Sequence, residues 1–200
     1  MPAELRADQV ALAGHRGDEG TARAGMTASD PQVRVVALGA LARLGRLTAD
    51  DLAAAAADPD PAVRRRAADE AGRTSLSVDV LALLEDPDPL VVEAAAWACG
   101  ERHPAPAGAV AALSALAGTH DDPLCREAAV AALGAIGDPA GLDAVLAATT
   151  DRPAVRRRAV IALAAFEGEN VDAALQRGLE DRDRQVRQAA EDLLGGPAAG

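Results

Sequence analysis

One short motif recurs along the chain and constrains its fold more than any other feature. Its fullest copy is Asp-Pro-Asp-Pro-Ala-Val-Arg-Arg-Arg-Ala-Ala at residues 58–68, and degenerate copies bring the total to six between Asp30 and Ala190. The valine position of the motif is occupied in turn by Val33, Val63, Val91, Cys125, Val155 and Val186. A period near 30 residues that persists along the chain is typical of a repeat protein.

Two other positions keep the same register. The residue after the valine position is arginine in five of six copies, and the third copy has Val92 instead. The residue four places after the valine position is alanine in all six copies: Ala37, Ala67, Ala95, Ala129, Ala159 and Ala190. The six copies therefore represent one structural unit.

Each copy of the motif predicts the start of a helix. An aspartate precedes the first helical turn in five copies and can accept hydrogen bonds from its free amides: Asp30, Asp60, Asp88, Asp122 and Asp183. Proline follows at the first helical position in five copies, where a missing N–H costs nothing: Pro31, Pro61, Pro89, Pro123 and Pro153. Glycines near the predicted helix ends fit helix termination: Gly45, Gly72, Gly100, Gly137 and Gly168.

The segments between the motifs also predict helices. Thr48 can cap one helix while Leu47 packs on Leu52 as a hydrophobic staple, and residues 76–81 repeat this pattern. Asp138 and Asn170 are predicted to open two more helices. Each repeat is thus a helix, a turn at Asp-Pro and a second helix, and neighbouring repeats must stack to bury their apolar faces.

Composition agrees with closely packed helices. Half of the residues are hydrophobic but only 1% are aromatic, so alanine and leucine must form the interior. The net charge of −11 disfavours nucleic acid and anionic membranes as partners. No apolar run reaches the roughly 20 residues of a membrane span, and the first residues do not form a secretory signal. We therefore expect a cytoplasmic location.

The motif resembles HEAT repeats, in particular the short HEAT-like repeats of the phycobilisome-lyase type. The resemblance covers roughly residues 18–194 and implies an all-α fold, a right-handed alpha-alpha superhelix of about six helix pairs with an extra N-terminal helix. We expect a single domain over residues 1–200, with an N-terminal capping helix at 1–15. The expected repeats are 18–45, 47–73, 76–102, 107–136, 138–167 and 170–195.

The resemblance also implies a ladder of ion pairs and a binding face. In HEAT repeats the motif arginine is expected to pair with an aspartate six residues earlier, which is possible at Asp58/Arg64 and Asp181/Arg187. The second helix of each pair is expected to line the concave side. On these helices the positions zero, four and eight after the valine should face the core, whereas positions two and six should face outwards.

The outward positions supply the candidate residues for partner binding. They are Arg65, Asp69, Glu93, Trp97, Glu127, Arg157 and Ile161. Trp97 is the strongest candidate because it is the sole tryptophan, and a partly exposed tryptophan among charges is a common binding hot spot. The alternative is that Trp97 turns inwards and fills space beside alanines.

Two classes of function fit this pattern. The first is a non-enzymatic scaffold or adaptor that binds a protein or peptide, without cofactor or metal. The second is an enzyme on the same scaffold, either a HEAT-like alkylpurine DNA glycosylase or a bilin-lyase-like protein. Such glycosylases use a tryptophan, an arginine and an aspartate on the concave face, and Trp97, Arg65 and Asp69 weakly resemble that set. No catalytic or metal-ligand spacing of histidines is present, and Cys99 and Cys125 occupy predicted core positions. We therefore favour the scaffold.

Overall fold

The computed structural model describes residues 5–195, and in this range every regular element is helical. It contains twelve α-helices and three short 3-10 helices. The α-helices are α1 Ala7–Arg16, α2 Glu19–Gly25, α3 Pro31–Leu44, α4 Ala49–Ala56, α5 Pro61–Arg73, α6 Pro89–Glu101, α7 Ala109–Thr119, α8 Pro123–Ile136, α9 Leu142–Ala148, α10 Pro153–Ala162, α11 Glu169–Leu179 and α12 Arg184–Gly195. The 3-10 helices are Ala82–Glu85, Pro139–Gly141 and Leu163–Ala165.

The helices form a series of repeats. Helix α1 comes first, and six second helices follow that all begin at the motif: α3, α5, α6, α8, α10 and α12. Their aspartates cap them as expected; for example, the amide of Ala62 donates to Asp60 and that of Leu90 to Asp88, each over 2.9 Å. The all-α repeat fold is confirmed.

The apolar core consists of the motif positions. The residue at the valine position is at most 1% exposed in all six repeats, and each alanine four places later is at most 1% exposed. The residue eight places later is equally buried in the first five repeats. In the sixth repeat this prediction is wrong, because Leu194 is 40% exposed.

The third repeat departs most from the prediction. Residues 76–81 are not helical, and only the 3-10 helix Ala82–Glu85 precedes α6. Ser77, which corresponds to Thr48 in the predicted pattern, does not begin a helix, and Asp79 instead accepts from the amides of Leu81 and Ala82. Moreover, the β-branched Val78 and Val80 alternate with polar residues, a pattern that favours extended backbone.

Two helix starts also differ from prediction. Helix α1 begins at Ala7, where Gln9 Oε1 accepts a 3.1 Å hydrogen bond from the backbone amide of Arg6; of the predicted cap at 1–15, residues 1–4 lie outside the described range. Helix α11 begins at Glu169, after Gly168, so Asn170 lies within the helix rather than at its cap.

The chain comprises two compact units, with the boundary between Ala98 and Cys99. The first contains α1 to α5 and most of α6, and the second contains α7 to α12. In the first unit, α1 and α2 pack on α3 through Val10, Ala22 and Leu41. The cluster around α4 and α5 includes Leu52 and Val63. Leu47 packs against this cluster, in agreement with the predicted hydrophobic staple.

Candidate functional site

A ladder of ion pairs fixes the turns from which the second helices start. It consists of Arg34–Asp58, Arg64–Asp86, Arg126–Asp151 and Arg156–Asp181, each joined by two hydrogen bonds of 2.6–2.8 Å. Every pair joins one repeat to the next, so the predicted pairing within a repeat is wrong. In Arg64 and Arg187, Nη1 does reach back six residues, but it donates to the backbone carbonyls of Asp58 and Asp181.

The arginines shift the pKa values of their partners. The hydrogen bonds from Arg64 hold the pKa of Asp86 below its ordinary value, and burial opposes part of the shift. Arg126 and Arg156 lower the pKa of Asp151 and Asp181 in the same way. These carboxylates therefore stay charged at neutral pH, and their role is to hold neighbouring repeats together. Each unit contains two of the four ladder pairs.

In the first unit, Trp97 is partly buried against the preceding second helix. An ideal Cβ on Gly72 would lie 2.5 Å from Trp97 Cζ3, so the ring occupies the space that a side chain at residue 72 would need. The guanidinium of Arg73 stacks 5.0 Å from the ring centroid, and its Nη1 also donates to the carbonyl of Asp69. Trp97 therefore lies between the two alternatives: one part of its ring packs inwards, and the rest contacts Arg73 near the surface.

The other candidates of the first unit lie on the same two helices, Arg65 and Asp69 on α5 and Glu93 on α6. Arg65 is exposed and Asp69 and Glu93 are partly exposed. Within the described range, the side chains of Arg65 and Glu93 form no hydrogen bond or ion pair. Arg66, by contrast, lies over Gly39 and pairs at 2.6 Å with Glu70, which is only 4% exposed. Side chains thus fill the seams between the second helices of this unit.

The second unit presents open grooves. Ile161 on α10 is 41% exposed and lies between two of them. One groove, of about 330 Å³, runs between α8 and α10 and is lined by Ala131, Gly134, Ala135, Arg158, Ile161, Ala162, Ala164 and Ala165. The other, of about 400 Å³, lies between α10 and α12 and is lined by Arg157, Ile161, Gln185, Gln188, Ala189, Asp192 and Leu193. We call the latter the α10/α12 groove.

The charged candidates of this unit differ in their partners. Glu127 accepts a 3.4 Å hydrogen bond from Arg158. Arg157 has no hydrogen-bond or ion-pair partner among residues 5–195, and its Nε is enclosed and unbonded. The structure thus brings Arg157 and Ile161 to the wall of the α10/α12 groove, and Ile161 also lines the groove between α8 and α10, whereas Glu127 lines neither. Sequence reasoning identified these residues but missed the grooves; the signal of the groove between α8 and α10 is the small residues Ala131, Gly134 and Ala162 on facing helices.

The remaining polar candidates are structural. Cys99 and Cys125 are both buried, as predicted, and burial raises the pKa of Cys99 to about 11. His120 accepts a 3.0 Å hydrogen bond at Nδ1 from the amide of Asp122. Residues 5–195 contain no group of histidine, cysteine and carboxylate side chains arranged to hold a metal ion. Nor does any helix in that range combine the length and apolar character needed to cross a membrane.

Comparison with solved structures supports the repeat fold. The chain is similar to an engineered protein, with 23% identity, a TM-score of 0.65, and 92% of this chain and 99% of that chain covered. It is also similar to YIBA_ECOLI, with 15% identity, a TM-score of 0.66, and coverage of 97% and 76%. A designed armadillo repeat protein in complex with the peptide (KR)4 gives 16% identity, a TM-score of 0.50, and coverage of 94% and 85%.

Family comparison identifies the repeats themselves. HEAT repeats match residues 77–153, and the PBS lyase HEAT-like repeat matches residues 155–181. The comparison with curated proteins gives no match. The matched ranges contain the motif copies at Val91, Cys125 and Val155, with the helices that these copies begin. The chain therefore belongs to the HEAT-repeat family.

Proposed function

We propose that the chain is a non-enzymatic binding scaffold that holds a protein or peptide on the faces of its second helices. The observation that carries this proposal is the exposure of Ile161 between two open grooves of the second unit. An aliphatic side chain beside grooves whose linings include alanine, glycine and leucine can bury apolar surface of a partner. The complex of a designed armadillo repeat protein with a peptide is compatible with this use of the fold.

The enzyme alternatives remain predictions that no particular contact favours. A DNA glycosylase would need Trp97 to hold a base, yet Gly72 and Arg73 already contact its ring. With a net charge of −11, we expect duplex DNA to bind no more tightly than about 10 μM at physiological salt. As part of the scaffold proposal, we also propose that the protein is cytoplasmic and that it binds protein in preference to nucleic acid.

Peptide selection with a matched pair of variants tests the proposal. A random peptide library displayed on phage is selected on the purified chain, and the enriched peptides are titrated against Ile161→Ser and Leu12→Ser. Leu12, on α1, is 45% exposed, so Leu12→Ser removes a similar apolar surface from another part of the molecule. We expect Ile161→Ser to raise the Kd about tenfold or more, and Leu12→Ser less than twofold.

Two outcomes contradict the proposal. One is the absence of any enriched peptide after selection on the folded chain. The other is an equal loss of affinity in both variants, which would mean that the grooves beside Ile161 are not the binding surface. Thermal unfolding followed by circular dichroism controls for the folding of both variants.

A further inference from the structure

We propose that the α10/α12 groove takes an extended acidic peptide, with a carboxylate on Arg157 and an aliphatic side chain two residues away against Ile161. This inference rests on the proposed scaffold function and names the chemistry of the partner. Both residues line the same groove, together with Gln185, Gln188 and Leu193.

The state of Arg157 points to a carboxylate ligand. The arginines of the ladder each bind a carboxylate through two hydrogen bonds, whereas Arg157 has no such partner among the described residues. It is nevertheless only partly exposed, so its charge is partly desolvated without compensation. A carboxylate is the group that matches a guanidinium in charge and in bidentate geometry.

Spacing along α10 specifies the rest of the ligand. Arg157 and Ile161 are four residues apart on one helical face, which separates them by about 6 Å along the helix axis. Alternate side chains of an extended peptide lie on one side about 6.6 Å apart. A peptide lying along α10 can therefore place a carboxylate and an aliphatic side chain on these two residues at once.

Local charge supports an acidic peptide despite the acidic chain. Helix α10 contains three arginines and no acidic residue. Two of the three are engaged, Arg156 with Asp181 and Arg158 with Glu127, which leaves Arg157 as the available cation. Asp192 lines the opposite wall, where its carboxylate accepts a 2.8 Å hydrogen bond from Gln188. At physiological salt, charges beyond about 8 Å are largely screened, so most of the net charge of −11 does not act on the groove, whose own lining carries one cation, Arg157, and one anion, Asp192.

Three labelled peptides provide the test. The acidic probe contains Leu-Ser-Asp-Ser-Leu, which reads the same in both directions, between Gly-Ser flanks. A basic probe replaces the aspartate with arginine, and a polar probe replaces both leucines with serine. Fluorescence anisotropy with protein up to about 1 mM measures each Kd. We expect the acidic probe to bind at least tenfold more tightly than either of the other probes.

Variants with equal charge assign the effect to one residue. Arg157→Gln and Arg152→Gln each remove one positive charge from the same repeat, and Arg152 is exposed and makes no capping bond through its side chain. We expect a tenfold or greater rise in the Kd of the acidic probe for Arg157→Gln and less than twofold for Arg152→Gln. Arg157→Lys, which keeps the charge but not the bidentate geometry, should fall between them. Since Arg157 has no partner to lose, all variants should unfold near the wild-type temperature.

Three results would overturn the inference: no measurable binding of the acidic probe, tighter binding of the basic probe, or equal effects of the two glutamine variants. The proposed function can survive these results. If library selection yields peptides that depend on Ile161 but carry no acidic residue, the scaffold stands and the acidic ligand is wrong. If selection yields no peptide either, both fail.

Discussion

Gly72 and Trp97 match each other in size across neighbouring second helices. Gly72 was expected to terminate its helix, but it lies inside α5, and its missing side chain leaves the space that Trp97 fills. Gly45 and Gly137, in contrast, do end helices and adopt the left-handed conformation with positive φ. Sequence alone does not separate these two uses of glycine, because both put glycine near a helix end.

Gly72→Ala tests this fit. The new Cβ would also lie 3.1 Å from the backbone Cα of Ala98, so relief requires movement of both the ring and α6. We expect a loss of about 2 kcal/mol in the free energy of unfolding, the usual cost of overpacking. We also expect a red shift in the fluorescence of the sole tryptophan as its ring moves towards water.

Gly118→Ala is the matched control for that substitution. Gly118 lies in α7 with no atom within 4 Å of an added Cβ. Alanine there should stabilise the protein by about 0.5 kcal/mol because it has the higher helix propensity. Urea denaturation measures both values, and a neutral or stabilising Gly72→Ala would refute the close fit of residues 72 and 97.

At the level of the element, the ladder shows why one arginine recurs in the motif. Nη1 binds backbone carbonyls of its own turn, while Nε and Nη2 bind the aspartate of the next repeat. Three of the four aspartates, Asp58, Asp86 and Asp181, also accept from the amide two residues later, whereas Asp151 accepts from that of Arg152. The motif therefore predicted Asp58, Arg64 and Asp181 as participants, but it could not show which aspartate each arginine selects, since aspartates of both repeats are within plausible reach.

Asp86→Asn tests the ladder. The side chain of Asp86 is 5% exposed and that of Arg64 is 14% exposed, so the substitution leaves a nearly buried cation without its counter-charge. We expect a loss of about 3 kcal/mol in the free energy of unfolding at pH 7.

The control for Asp86→Asn is Asp143→Asn, which removes the same charge from an exposed residue of α9. A surface carboxylate in the first helical turn should contribute less than about 1 kcal/mol. Urea denaturation of the two variants makes the comparison. Equal small losses would show that the ladder is not important for stability.

At the level of the whole molecule, the repeat pattern was sufficient for the fold class and for the core, because both depend on periodic burial that recurs every 30 residues or so. It was insufficient where one repeat loses a helix, as at residues 76–81, and where open space decides exposure, as beside Ile161. Grooves depend on pairs of facing small residues, such as Gly134 and Ala162, that are far apart in sequence. The structure comprises two compact units, and the single domain expected over residues 1–200 remains a proposal.

The dependence of stability on pH is a property of all ladder carboxylates together. The native pKa values of Asp58, Asp86, Asp151 and Asp181 are lowered, whereas an unfolded aspartate has a pKa of about 3.9. Groups of this kind contribute stability that is complete above the unfolded pKa and is lost as the pH falls through the native values. The unfolded chain binds more protons in that window, so acid favours unfolding.

We therefore expect the free energy of unfolding to be nearly constant from pH 7 to 5 and to fall progressively as the pH drops below about 4. Protonation of exposed carboxylates relieves the repulsion from a net charge of −11 and opposes this loss. Urea denaturation in about 0.15 M salt screens that repulsion and isolates the ladder. Asp86→Asn should lose less stability over the same range, because one linked carboxylate is missing. A wild-type chain that is as stable at pH 3 as at pH 5 would contradict the linkage.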